Sequence, residues 1–209
     1  MLGPGLLRSV KDDDEAPRGP AVRRPDHLVR NWQRIVEVGR RFVDEGAAIQ
    51  LNDVARAASV GVATVYRHFP TPEALLETIA APGLESLLRR GEQALAGDDP
   101  WSALRDFLRA GIDAQMTDAA IPPVFAAHQD ALPRTTELKQ RLNALFADLL
   151  GRARAAGATD PAVTAGDIAP LMCGVAYAAK MHPAGRERAA TARRYLGILL
   201  DGIRTRPST

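Results

Sequence analysis

The stretch from Gln50 to Phe69 leaves this chain little freedom in what it can build. Val54, Ala55 and Ala58 recur at helical spacing and predict a short helix from about Asn52 to Ala58. Val65 and Phe69, four apart, predict a second from about Val62 to Phe69. Ser59, Val60 and Gly61 turn the chain between them, with Val60 filling the angle and Ala55 small where the helices approach. Once those residues are buried, Val62, Ala63, Thr64, Tyr66, Arg67 and His68 are left facing outward. A second helix offering that mixture at a steep angle to the first is the geometry of a helix-turn-helix.

The flanks are helical too. Asp26 after Pro25 makes a good N-cap, and Leu28, Trp32, Ile35, Val36, Phe42 and Val43 follow at helical spacing up to Gly46. Trp32 reads as a packing residue or a DNA contact. Thr71, Pro72 and Glu73 form the cap and first turn of a fourth helix. Pro82-Gly83 interrupts that pattern and sets an expected domain boundary, giving 26–81 and 82–209. Met1 to about Pro25, rich in Gly, Pro and charge, is expected to be a disordered tail. It is either a solvated segment or a basic arm following phosphates or a minor groove.

With Leu28 to Ala80 in view, the chain resembles the DNA-binding domain of the TetR family of transcriptional regulators. The run Thr64-Val65-Tyr66-Arg67-His68-Phe69 is the most specific part of the match. There are departures. Family members usually read Ala-Gly-Val-Ser across the turn, where this chain has Ala58-Ser59-Val60-Gly61. Ser59 therefore stands where Gly relieves a left-handed backbone, at a penalty of about 1 kcal/mol. Gly61 replaces the usual Ser cap, a loss of only a few tenths of a kcal/mol. Gln50 stands at a usual Ser or Thr cap, and Pro72 where a phosphate-binding Lys is common.

The resemblance implies a double-stranded DNA operator as partner. Thr64, Tyr66 and His68 would hold phosphates, while Asn52, Val62, Ala63 and Arg67 would face base edges. Arg67 can fork onto guanine or grip phosphate, and Val62 and Ala63 can meet only thymine methyl groups. Charge agrees in distribution rather than in total. The net charge is +2, but from Arg18 to Pro70 nine Arg stand against five acids.

The remainder predicts a helical bundle, so the fold class is all-α. Asp98-Asp99-Pro100-Trp101 opens a helix with Leu104, Phe107, Leu108 and Ile112. Pro122-Pro123 and Pro133 bracket a short helix holding Phe125 and His128. Thr135 or Thr136 caps a long one carrying Leu138, Leu142, Leu145, Phe146 and Leu149, ended at Gly157. Thr164 and Asp167 open the next, with Ile168, Leu171, Met172, Val175 and Ala179 inward. The last bears Leu196, Leu199, Leu200 and Ile203. Its helix order resembles TetR regulators of high-GC, actinobacterial type. In that family the last two helices pair across a homodimer. Here Ala176, Ala178, Ala179, Leu196, Leu199, Leu200 and Ile203 would supply the interface or be buried within one subunit. The resemblance also implies a small-molecule effector that releases the DNA, with Phe107, Met116, Phe125, His128, Phe146, Met172 and Tyr177 as candidate pocket residues. The alternative is a regulator without a ligand, controlled by a protein partner or by abundance.

Other classes find no footing. The four histidines show no paired metal spacing, and neither a glycine-rich phosphate loop nor a nucleophile in a recognisable setting occurs. No enzyme, cofactor or metal is expected. Cys173, the only cysteine, is expected to be a core thiol in a reducing compartment. The longest apolar run, near Ala169 to Ala179, is far short of the ~20 residues of a membrane span, and nothing resembles a signal peptide. A cytoplasmic protein is expected.

Overall fold

The computed structural model describes residues 25–182 and 187–205, so the N-terminal tail expectation lies outside the described residues. Among those residues nine helices follow one another, and no strand longer than an isolated bridge from Thr159 to Arg204 occurs. They are α1 (Pro25–Asp44), α2 (Leu51–Ala57), α3 (Val62–His68), α4 (Pro72–Leu95), α5 (Pro100–Thr117), α6 (Ile121–Ala126), α7 (Pro133–Ala155), α8 (Ala165–Met181) and α9 (Arg188–Ile203).

The expected break at Pro82-Gly83 is absent: α4 runs through it unbroken. Leu75, Ile79, Ala80, Leu84, Leu87 and Leu88 form one buried stripe across the proline. Burying each large aliphatic side chain yields about 1.5–3 kcal/mol, so the stripe outweighs the ~3 kcal/mol that an interior proline costs. The Pro82 ring is exposed, and the nearby Ile79 carbonyl accepts a hydrogen bond from Arg40 Nη2 at 2.6 Å. Helix α4 is thus a single rod shared by the DNA-binding helices and the bundle.

In the bundle, α4 packs along α7 and α5, and α9 lies against α5 and α8. Gly91 permits the close approach of α4: a Cβ there would collide with Leu145 and the Phe107 ring. Phe107 in turn stacks on Phe146 with centroids 6.3 Å apart. A buried carboxylate ties α4 to α7. Glu77 accepts hydrogen bonds from the Ala131 and Leu132 amides at 2.6 and 2.8 Å, just ahead of α7.

Side-chain caps start α4, α5 and α8. Asp99 accepts from the Trp101 and Ser102 amides, and Asp167 accepts from the Thr164 amide and hydroxyl. These hydrogen bonds hold both carboxyls below their ordinary value, with Ser102 the leading cause at Asp99 and Thr164 at Asp167. Helix α7, however, starts at Pro133 behind Leu132, not at a threonine cap; Thr135 is buried inside its first turn. Helix α6 begins at Ile121 with its prolines in the first turn rather than outside it, and His128 lies beyond its end.

Candidate nucleic-acid interface

Helices α2 and α3 are held together by Val54, Ala55, Ala58, Val65 and Phe69, all buried, with Val60 half-buried in the angle between them. The turn has a defined hydrogen-bond pattern. The Val60 amide donates to the Ala55 carbonyl at 3.0 Å and the Ser59 amide to Arg56 at 3.1 Å. That pair is a Schellman motif, which demands a left-handed residue at its centre. Ser59 supplies it at φ 52°. The same bonding ends α1 around Gly46 and α7 around Gly157, at φ 72° and 67°. Among the described residues, the helix-turn-helix is thus the place where a side chain takes a conformation given to glycine elsewhere. Gly61 then serves as the N-cap of α3 with extended backbone, and Gln50 as that of α2; neither makes a side-chain cap bond.

Val65 is the buried residue of α3. Val62, Ala63, Tyr66 and Arg67 are exposed, Thr64 and His68 half-buried, and Asn52 is exposed on the first turn of α2. All seven expected DNA contacts therefore lie on the one helix pair. The His68 Nε2 is buried without a hydrogen-bond partner, so that nitrogen is closed to an outside group in this orientation. Trp32 sits over Phe69 with ring centroids 6.4 Å apart, yet it stays partly exposed along with Leu28 and Val29. It packs the module and borders its outer face. Thr71 caps α4 as expected, its hydroxyl accepting from the Ala74 amide at 3.1 Å.

The expected pocket residues are brought together only in part, by the Phe107–Phe146 stack in the core. Phe107, Phe146 and Met172 are buried in the core, Met116 and Phe125 are half-buried, and His128 and Tyr177 are exposed. None of them lines the described clefts. Residues of α8 and α9 also need reassignment. Ala176, Ala179, Leu196, Leu200 and Ile203 are buried inside the subunit, Leu199 is half-buried, and Ala178 is exposed. Leu171, expected inward, is 48% exposed, and Tyr177, Met181 and Ile198 are 67%, 66% and 66% exposed. Cys173 is exposed rather than a core thiol. The reason is helical phase: on α8 the buried line is Ile168, Met172, Ala176 and Ala179, and a 100° step per residue turns Leu171 and Cys173 off it. An apolar average over α8 hid which face would be inward.

A helix-turn-helix with a polar, cationic second helix, joined by α4 to an all-helical bundle, defines a DNA-binding regulator of the two-domain helical class. The comparisons agree. Residues 99–205 match the "Transcriptional regulator SbtR-like, C-terminal domain" model, and residues 40–79 match that of "Bacterial regulatory proteins, tetR family". The chain belongs to the TetR family of bacterial transcriptional regulators. No curated protein sequence matches it. Among solved structures, a TetR transcriptional regulator from Streptomyces coelicolor is 29% identical, with a TM-score of 0.53, over 84% of this chain and 99% of that one. The regulator PfmR from Thermus thermophilus is 21% identical with a TM-score of 0.58, covering 81% of this chain and 97% of that one. FadR from Bacillus subtilis, solved with stearoyl-CoA, is 14% identical with a TM-score of 0.59, covering 82% and 99%. These last two show the shared fold. Among the described residues no helix is long and apolar enough to cross a membrane, and no group of three potential metal ligands occurs.

Proposed function

We propose that the chain is a ligand-responsive repressor that binds a palindromic operator as a homodimer and is released by a small-molecule effector. The observation that carries this reading is a pair of exposed faces of opposite chemistry. One, on α3, offers hydroxyls and a guanidinium; the other, on α8 and α9, offers Leu171, Tyr177, Met181 and Ile198. The first suits phosphates and base edges. The second suits a symmetry-related copy of itself, with Ala178 and Gly174 allowing close approach.

On this reading Thr64, Tyr66 and His68 hold phosphates, while Arg67, Asn52, Val62 and Ala63 face bases. One short helix with a single strong reader discriminates too little alone, so two copies are needed, about one DNA turn (~34–36 Å) apart. Residues 26–81 and 82–209 act as DNA-binding and regulatory domains, with α4 spanning their boundary. The protein works in the cytoplasm, and its C-terminal domain is of the actinobacterial type.

Selecting bound fragments from genomic DNA with the full chain tests the proposal. Recovery of a two-fold symmetric sequence is expected. Equal recovery of unrelated fragments at all salt concentrations would refute operator recognition. A thermal-shift screen coupled to operator binding then separates a ligand-released repressor, whose stabilising compounds release DNA, from a regulator governed by a protein partner or by abundance.

A further inference from the structure

A cleft of about 410 Å³ opens between α4, the later part of α5, the start of α6 and α9. That volume is within the range of small-molecule sites. Leu87 and Ile121 contribute apolar wall, and Arg90, Arg193, Asp113 and Asp118 supply the charge. The acids are already engaged. Arg193 Nε donates to Asp113 Oδ1 at 2.9 Å, and Arg40 Nη1, reaching from α1, donates to Asp118 Oδ1 at 2.5 Å. Asp118 Oδ1 also accepts from the Ala120 amide at 3.0 Å. Arg90 has no hydrogen-bond or ion-pair partner among the described residues. The unmatched charge in the cleft is therefore positive, and a carboxylate can take the Arg90 fork directly.

We propose that this cleft is the effector site, that it takes a small carboxylate with an apolar body, and that it signals through the Arg40–Asp118 pair. The proposal rests on the ligand-responsive reading above. Geometry supplies the route. The cleft shares Asp118 with α1, whose Arg40 grips both that carboxylate and the Ile79 carbonyl of α4. There is no slack beside it: a Cβ on Gly83 would lie 2.8 Å from Ile121 Cδ1 and 3.0 Å from Asp118 Oδ2. An occupant resting on Leu87 and Ile121 is accommodated by moving the start of α6 off α4, and that movement draws Asp118 from Arg40. Helix α1 packs on α2 and α3, so the displacement reaches the DNA-binding helices.

The test uses the full chain with millimolar octanoate and benzoate, against octylamine and octanol. At least one carboxylate is expected to raise the melting temperature more than either control, and Arg90→Gln is expected to remove that increment. An equal shift from octylamine, no shift from either carboxylate, or an undiminished shift in Arg90→Gln would overturn the site. For the route, the carboxylate should change operator affinity about fivefold or more in the parent protein. It should change it less than about twofold in Arg40→Gln, whose side chain is not part of the cleft lining and which should still show the thermal shift. Full coupling in Arg40→Gln would overturn the route. Failure of the parent chain to select any genomic fragment would count against the proposed function while leaving the thermal-shift result standing, so the two failures are distinguishable.

Discussion

The two helix pairs at opposite ends of the chain solve the same problem with different chemistry. In α2–α3 a small apolar set, Val54, Ala55, Ala58, Val65 and Phe69, is used inside, and the outer face carries Thr64, Tyr66, Arg67 and His68 beside the exposed Val62 and Ala63. In α8–α9 the inner line is also satisfied, by Ile168, Met172, Ala176, Leu196 and Leu200, but Leu171, Tyr177, Met181 and Ile198 stay exposed beside Lys180, Arg193 and Arg194. A polar outer face meets water or phosphate at no penalty. An apolar outer face of large side chains has a reason to find a partner. Exposed chemistry, more than helix count, separates the face proposed to meet nucleic acid from the face proposed to meet a second copy.

Breaking the apolar face should have the largest effect. Ile198→Glu places a charge in the proposed interface, and we expect dimerisation to weaken at least ~100-fold, about 3 kcal/mol, with operator binding lost in parallel. Analytical ultracentrifugation checks this, and an unchanged dimer would remove Ile198 from the interface. Arg67→Ala comes next. Operator affinity should fall by about 1–3 kcal/mol per half-site relative to random DNA, with the melting temperature unchanged. Equal losses on operator and random DNA would assign Arg67 to phosphate instead.

Smaller effects probe how the polar pair is built. Ser59→Gly should stabilise the fold by about 1 kcal/mol, because glycine adopts the φ of 52° without the clash a side chain brings. Chemical denaturation measures it; a neutral or negative change would mean that the Ser59 side chain supports the turn in another way. The smallest effect concerns acid. Asp99 and Asp167 have folded values below the ordinary 3.8, so each stabilises the protein above that value and loses its contribution as pH falls through the lowered one. Asp167→Asn should therefore flatten the fall in melting temperature below about pH 4. An unchanged acid limb would show that this cap contributes nothing measurable.

The DNA-binding module was largely legible in the sequence because its signals are local. Ala55, Ser59, Gly61 and Val65 each have one role set by neighbours a few residues away, and the left-handed Ser59 and the Gly61 cap both appear in the structure. The bundle was legible only as helices. Pro82 reads as a break in any local pattern, yet the buried stripe from Leu75 to Leu88 carries α4 through it. Leu171, Tyr177 and Cys173 look like core in an apolar stretch, and only the packing of α8 against α5 and α9 decides which line is inward. The pairing of Arg40 with Asp118 spans 78 residues, a separation at which no sequence spacing speaks.

Operator recognition as proposed requires α3 to enter a DNA groove twice, presented by a symmetric pair. Hydroxyl-radical footprinting of the full chain on a selected operator, with the protein-to-duplex ratio titrated, measures this directly. Two protected patches about one helical turn apart, saturating in steps of two chains per duplex, are predicted. Protection of a single patch by one chain, or no protection at low salt, would contradict it.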